Sequence, residues 1–210
     1  FAYVFSSSLL IYVALKKHTY IQLTFAKIDL MDSLLLIPLA ISLVVISEFT
    51  AGLIPINPKM AKLFTDVFSF SPIMFIMTVF CAPVFEEILC RGIILRGLLK
   101  KYTVPKSIFW SAFLFGSIHL NPWQLIAGFI VGLVCGWIFC SYKNLVPTIF
   151  IHFVVNLVSM LSQIFIPEKS HFGDNTTKLL LGNNDLYYYL VLFSCGLVFS
   201  LCVFLIHRKI

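Results

Sequence analysis

Two carboxylates and a guanidinium stand within six residues of one another in Glu86-Glu87-Ile88-Leu89-Cys90-Arg91, between apolar runs that read as one long helix. A charge at the centre of a membrane helix costs ~2.5–3.5 kcal/mol on insertion scales, so three together are kept for something other than packing. Glu87 and Arg91 are four apart, share a helix face and can pair. Glu86 is rotated away from them by about 100° and is placed for proton transfer. Phe115 and His119 are likewise four apart, as are His152 and Asn156, on two further apolar runs. A lone histidine in an apolar helix is usually a satisfied packing residue. Two of them, with an asparagine and a carboxylate pair on three separate runs, ask for one explanation. The competing reading ends the charged helix at Phe85 and leaves the cluster as a solvated cap at the membrane interface. His18, His171 and His207 fall at run ends or in loops and read as interfacial.

A carboxylate facing a histidine can remove a proton from water, and a second histidine with an asparagine amide can donate to the oxyanion that forms on an attacked carbonyl. That chemistry is amide hydrolysis by directly activated water. No GxSxG turn is present, Ser117 and Ser159 lie on the wrong faces for their neighbouring histidines, and Cys90 sits in surroundings that suit an inert thiol. Metal is the rival: Glu86, His119 and His152 would make a zinc set with water in the fourth position. No HExxH supports it, and side-chain types alone do not separate the two mechanisms.

The elements that must position these groups follow from composition. Of 210 residues, 60% are hydrophobic and 11% charged, with a mean hydropathy of +1.00. Soluble domains run nearer ~45–50% apolar and ~25% charged, which excludes an ordinary water-soluble globule as well as a disordered chain. The net charge of +6 comes from basic residues scattered singly or in pairs, which fits a membrane surface and not nucleic acid. The six cysteines lie in or beside apolar stretches and include no CxxC, so neither a disulfide framework nor a zinc knuckle is expected.

Charges bound the spans: Phe1–Leu15, Ser33–Ser47 with an extension through Phe49 to Leu53, Val67–Phe85 continuing through the acidic pair, Asn144–Pro167 and Leu186–Ile206. The uncharged stretch Ser107–Tyr142 is long enough for two spans, with Asn121-Pro122 as the break. The expectation is an all-α, polytopic transmembrane bundle of about seven helices, with polar loops near 50–66 and 167–185. If ends alternate sides, eleven basic residues, among them Lys16, Lys17, Arg96, Lys143 and Lys209, fall on one side against four on the other. That side is expected to be cytoplasmic, with the carboxyl terminus on it. The first residue is Phe1 within an apolar run, so the first span is read as truncated. Gly128, Gly132 and Gly136 share one helix face and read as a packing surface without chemistry.

Helix rise tests whether the polar groups can meet. Measured from the turn at Tyr102–Pro105, Glu86 lies ~24 Å along its helix and His119 ~21 Å along the returning one, so the two are level. From the turn at Lys143-Asn144, His152 lies ~12 Å in and Asn156 ~18 Å. A polar pocket inside the bundle, nearer the cytoplasmic side, is the implied geometry.

EExxxR (Glu86, Glu87, Arg91), FxxxH (Phe115, His119) and HxxxN (His152, Asn156), in that order on successive helices, resemble the CPBP intramembrane proteases, also called the CAAX protease and bacteriocin-processing, or Abi, family. The resemblance covers about Val67 to Gln163. It divides the single membrane domain into N-terminal spans and loop (1–66), a catalytic core (67–166) and a loop with a C-terminal span (167–210).

The family's eukaryotic branch comprises type II CAAX prenyl endopeptidases, which trim prenylated proteins; bacterial members are implicated in peptide maturation, bacteriocin self-immunity and regulation. Carried over, Glu86 would be the general base on water, supported by Glu87, Arg91 and Phe115. His119 would share in water activation, and His152 and Asn156 would bind the oxyanion. The favoured family mechanism is metal-free. The short chain and compact loop between the histidines favour a bacterial plasma membrane protein, acting on a peptide or protein substrate whose lipidation and cleavage site stay open. A non-catalytic immunity or regulatory protein using the same pocket is the alternative, and a transporter or proton relay comes third.

Overall fold

The computed structural model describes residues 2–17, 22–67, 71–165 and 175–209. Among them are nine helices and no strand: α1 (Ala2–Lys17), α2 (Leu30–Gly52), α3 (Pro58–Val67), α4 (Pro72–Leu98), α5 (Val104–Ser117), α6 (Pro122–Tyr142), α7 (Leu145–Ile164), α8 (Thr176–Leu180) and α9 (Asp185–Lys209). Helices α2, α4, α6, α7 and α9 are long and apolar enough to cross a bilayer, whereas α1 and α5, at 16 and 14 residues, are shorter. The protein is an all-α, multi-pass membrane bundle. His18 and His171, expected at the interface, lie outside the described residues.

The seven apolar runs become α1, α2, α4, α5, α6, α7 and α9. The expected polar loops each hold a helix as well. Helix α3 turns only Ala61 fully inward and leaves Lys59 and Lys62 exposed. Helix α8 is nucleated by Glu48, whose carboxylate accepts from the backbone N–H and the hydroxyl of both Thr176 and Thr177. Charge counting sees these stretches as polar and misses the caps.

The core lies around α2. Leu36, Leu39 and Leu43 are fully buried against Cys135 and Ile138 of α6, Ile151 of α7 and Ile206 of α9. Where lipid is as apolar as the core, close backbone approach supplies much of the association, and the glycine face of α6 provides it. A Cβ on Gly132 would stand 2.9 Å from Ala112 Cα, and one on Gly116 would stand 2.4 Å from the Leu125 carbonyl. Helices α5 and α6 therefore form a hairpin closed at backbone distance, the close approach that the glycine face was expected to allow.

One end of the bundle is tied by polar contacts. The extended segment at 22–29 crosses it, with Ala26 N–H donating to Asn144 Oδ1 (3.0 Å), Asn144 Nδ2 donating to Ala26 O (2.7 Å) and Leu145 N–H donating to Thr24 O (3.0 Å). Lys209 Nζ pairs there with Asp32 (2.6 Å) and Asp29 (3.1 Å). Arg96, Lys143 and Lys209 share this end.

Helix α4 is the element on which the site is built. It runs unbroken past Glu86 and Glu87, as the sequence indicates, but it is not a uniform α-helix. Five-residue hydrogen-bonded turns occupy Met77–Cys81 and Ile88–Leu95, on either side of the α-helical stretch Ala82–Glu87. Such π-turns widen the helix and leave carbonyls without their usual partners.

Gly132→Ala and Gly116→Ala are each expected to lower the unfolding midpoint in detergent, at a cost of roughly 1–3 kcal/mol from overpacking. Gly97→Ala, at a helix position where a Cβ meets nothing, is expected to leave it unchanged or raise it slightly.

Candidate active site

Glu87 and Arg91 form the buried pair that their spacing suggests: Arg91 Nη1 donates to Glu87 Oε1 at 2.7 Å, with both side chains wholly inaccessible. The other guanidinium branch donates to the Gly132 carbonyl on α6 at 3.0 Å. The guanidinium carbon also lies 4.8 Å from the centre of the Phe115 ring on α5. One arginine thus joins three helices. Gly132, read as pure packing from sequence, has a second part: its missing side chain brings the carbonyl within Arg91's reach.

His152 of α7 bridges the two carboxylates. Its Nδ1 lies 3.1 Å from Glu87 Oε1 and its Nε2 3.8 Å from Glu86 Oε2. The shorter contact is a hydrogen bond; the longer one is beyond direct bonding distance. A carboxylate only accepts, so Nδ1 carries the proton on the Glu87 side and Nε2 is the atom presented toward Glu86. The expected convergence of α4 and α7 is therefore present, and the cap reading of the acidic cluster fails. Glu87 and Arg91 lie inside the bundle, and the Glu86 side chain is only 14% exposed.

Phe115 stands between the histidines. Its ring meets His152 at 5.4 Å and His119 at 5.6 Å between centroids, nearly perpendicular in both cases. His119, expected on an apolar span just before the break at Asn121-Pro122, lies outside the helix itself. Helix α5 ends at Ser117, and His119 sits in the turn before α6, half-buried, with Leu120 in the left-handed region (φ 55°). The stop has a physical cause. Asn121 caps α6 by accepting from Gln124 N–H (2.9 Å), a role that needs extended backbone, and its Nδ2 donates to the His119 carbonyl at 3.1 Å. His119 Nδ1 faces the carbonyls of Phe115 (3.2 Å) and Gly116 (3.3 Å), so it carries the ring proton and Nε2 points elsewhere. Gly128 lies beneath the imidazole, where a Cβ would come within 3.5 Å of Cε1.

Asn156, one turn beyond His152 on α7, does not turn its amide to the carboxylates. Its Nδ2 donates to the Thr78 carbonyl in the first π-turn of α4, at 2.8 Å. Ser111 of α5 similarly donates to the Cys90 carbonyl in the second π-turn, at 3.2 Å. The sequence singles out neither Thr78 nor Ser111, and it marks Asn121 only as a break between spans. Pro83, a proline within an otherwise helical run, is the one visible sign that α4's backbone pattern is interrupted.

Glu86 and His152 approach one another, but His119 does not complete a set with them: among the described residues no three His, Cys, Asp or Glu side chains gather as a metal-holding group. Ser117 donates to its own helix at Phe113 O (2.7 Å), which fits its dismissal as a nucleophile.

Residues 68–158, which contain all seven side chains of the three motifs, match the family described as Rce1-like, type II CAAX prenyl endopeptidase. The match covers a little under half of the chain and is a similarity in that region. The chain is also similar to the protein named "Putative membrane peptidase YdiL" of Bacillus subtilis (strain 168), 25% identical over 116 residues, 55% of this chain and 47% of that relative. The chain thus spans about half the relative's length. No solved structure matches the chain. Within residues 68–158, the three motifs occupy α4, the end of α5 with the turn after it, and α7.

The two tautomers give a direct check. Nitrogen-15 NMR of histidine-labelled protein at alkaline pH is expected to find His119 and His152 both protonated on Nδ1 and bare on Nε2. Fast-averaging tautomers at either ring would contradict the contacts described.

Proposed function

We propose that the protein is an intramembrane endopeptidase that hydrolyses a peptide bond with water activated by Glu86. The observation that carries the reading is the bridge of His152 between Glu86 and the buried Glu87–Arg91 pair. The 3.8 Å gap between Glu86 Oε2 and His152 Nε2 is too wide for a hydrogen bond and suits a water molecule held to one side by both groups. Glu86 takes a proton as the water oxygen attacks the carbonyl carbon. The charge that develops on the carbonyl oxygen is met by donors from α7: the Nε2–H of His152 in its imidazolium form, its extra proton taken from solvent before the cycle and kept through it, and the second amide hydrogen of Asn156. Collapse breaks the C–N bond, and the proton held by Glu86 passes to the leaving nitrogen. His119 offers Nε2 to the same water or to the leaving amine, because its Nδ1 is engaged by backbone. Glu87, compensated by Arg91, supports the imidazolium of His152 without itself titrating in the cycle.

The reading is metal-free, with a zinc held by Glu86, His119 and His152 as its alternative. The substrate is a membrane-associated peptide or protein. The shared basic end of the bundle supports a cytoplasmic carboxyl terminus, and similarity to a bacterial protein supports a bacterial plasma membrane. A general base contributes ~10²–10⁴-fold and one oxyanion donor ~10²–10³-fold to such reactions.

Mass spectrometry of candidate membrane peptides incubated with the purified protein tests this. Wild type is expected to yield product with or without chelator. Glu86→Gln is expected to yield none while retaining its unfolding midpoint, and Asn156→Ala to slow the reaction by ~10²-fold or more. Product from Glu86→Gln ends the hydrolase reading. Product lost only with chelator restores the metal. Biological activity that survives Glu86→Gln and His119→Ala favours the immunity or regulatory alternative.

A further inference from the structure

The Asn156 amide is held by a carbonyl that its own helix has no donor to satisfy. In α-helical bonding the Thr78 carbonyl would accept from Ala82 N–H, but that N–H goes one residue back, to Met77 O. In the π pattern so begun, the next donor in line for Thr78 would be residue 83. Residue 83 is proline and has no N–H. Both backbone donors are thereby removed from one carbonyl, and Asn156 Nδ2 takes their place from the neighbouring helix at 2.8 Å. A carbonyl only accepts, so this contact also decides which way the carboxamide faces: nitrogen toward α4, with one amide hydrogen committed and one remaining. Pro83 is itself buried, three residues before Glu86.

We infer that Pro83 is a positioning residue: by withholding an N–H from the Thr78 carbonyl, it makes that carbonyl the anchor that orients the Asn156 side chain and joins α7 to the segment bearing the acidic pair. The anchor stands on geometry alone, and only its consequence for rate rests on the protease reading above. The device explains why a proline, which ordinarily weakens a helix interior, sits one turn before the acidic pair. It also explains how α4 and α7 can be locked at that depth without another charged pair.

The test uses the full chain in detergent micelles. Unfolding midpoints are measured for wild type, Pro83→Ala, Asn156→Ala and the double variant. Alanine at position 83 supplies the missing N–H, so Asn156→Ala is expected to lower the midpoint clearly in the wild-type background and much less in the Pro83→Ala background. Equal losses in the two backgrounds overturn the inference, since independent sites add. On a peptide cleaved by wild type, Pro83→Ala is expected to lower kcat about tenfold with KM within about twofold, the split of an interaction used in the transition state. Asn156→Ala is expected to cost less on top of Pro83→Ala than alone. A kcat for Pro83→Ala equal to wild type overturns the catalytic consequence. Should no variant or wild type cleave any peptide, the protease reading fails while the unfolding cycle still decides the anchor. Should Pro83→Ala not fold, hydrogen exchange of the Asn156 side-chain amide decides it in wild type: one slowly exchanging proton is expected, and two fast ones overturn the inference.

Discussion

A guanidinium removed from water inside a lipid-embedded bundle is costly unless its charge is compensated, and that requirement governs the centre of this molecule. Arg91 meets a carboxylate on its own helix, a carbonyl on α6 and an aromatic face on α5. Taking away one member of such a pair leaves the other charge stranded, at a cost of ~3–5 kcal/mol, which is far more than the pair contributes when intact. Glu87 is in turn fixed by Arg91 and holds His152 through Nδ1. The orientation of the imidazole toward Glu86 is thus a consequence of satisfying the arginine.

The remaining architecture serves that compensation. Gly132 lets a carbonyl reach Arg91 while bringing α6 into backbone contact with Ala112. The resulting α5–α6 hairpin sets Phe115 against the guanidinium and both imidazoles, and its turn carries His119. In the π-turns of α4, the Thr78 carbonyl accepts from Asn156 of α7 and the Cys90 carbonyl from Ser111 of α5. Helices α5 and α7 are therefore attached to α4 by polar contacts as well as by packing, α5 through Ser111 and α7 through both His152 and Asn156.

Much of this is legible in the sequence because membranes make sequence patterns stringent. The seven apolar runs follow from charge spacing, and the Glu87–Arg91 pair from a separation of four on a helix. The α5–α6 contact follows from glycines at every fourth position. What is not legible depends on backbone bonding and on caps. The helix before His119 stops at Ser117 because Asn121 needs extended backbone to cap α6; the sequence marks the break at Asn121-Pro122 but not the cap that makes it. Helix α8 forms because Glu48, distant in sequence, accepts from its first residues. Asn156 reads as an oxyanion donor from its spacing to His152, yet the amide's direction is set by a carbonyl exposed through a shift in helical hydrogen bonding. Pro83 hints at that shift, but a proline does not say which residue fills the gap it leaves.

The claim that the buried pair organises the site is tested most directly by a double-mutant cycle on Glu87→Ala and Arg91→Ala, read as unfolding free energy in micelles. Each single variant strands a charge, so the account predicts a large loss from either and little or no additional loss when both are replaced, a coupling well above ~1 kcal/mol. Two modest losses that simply add would mean that Glu87 and Arg91 act independently, and the central constraint described here would be wrong.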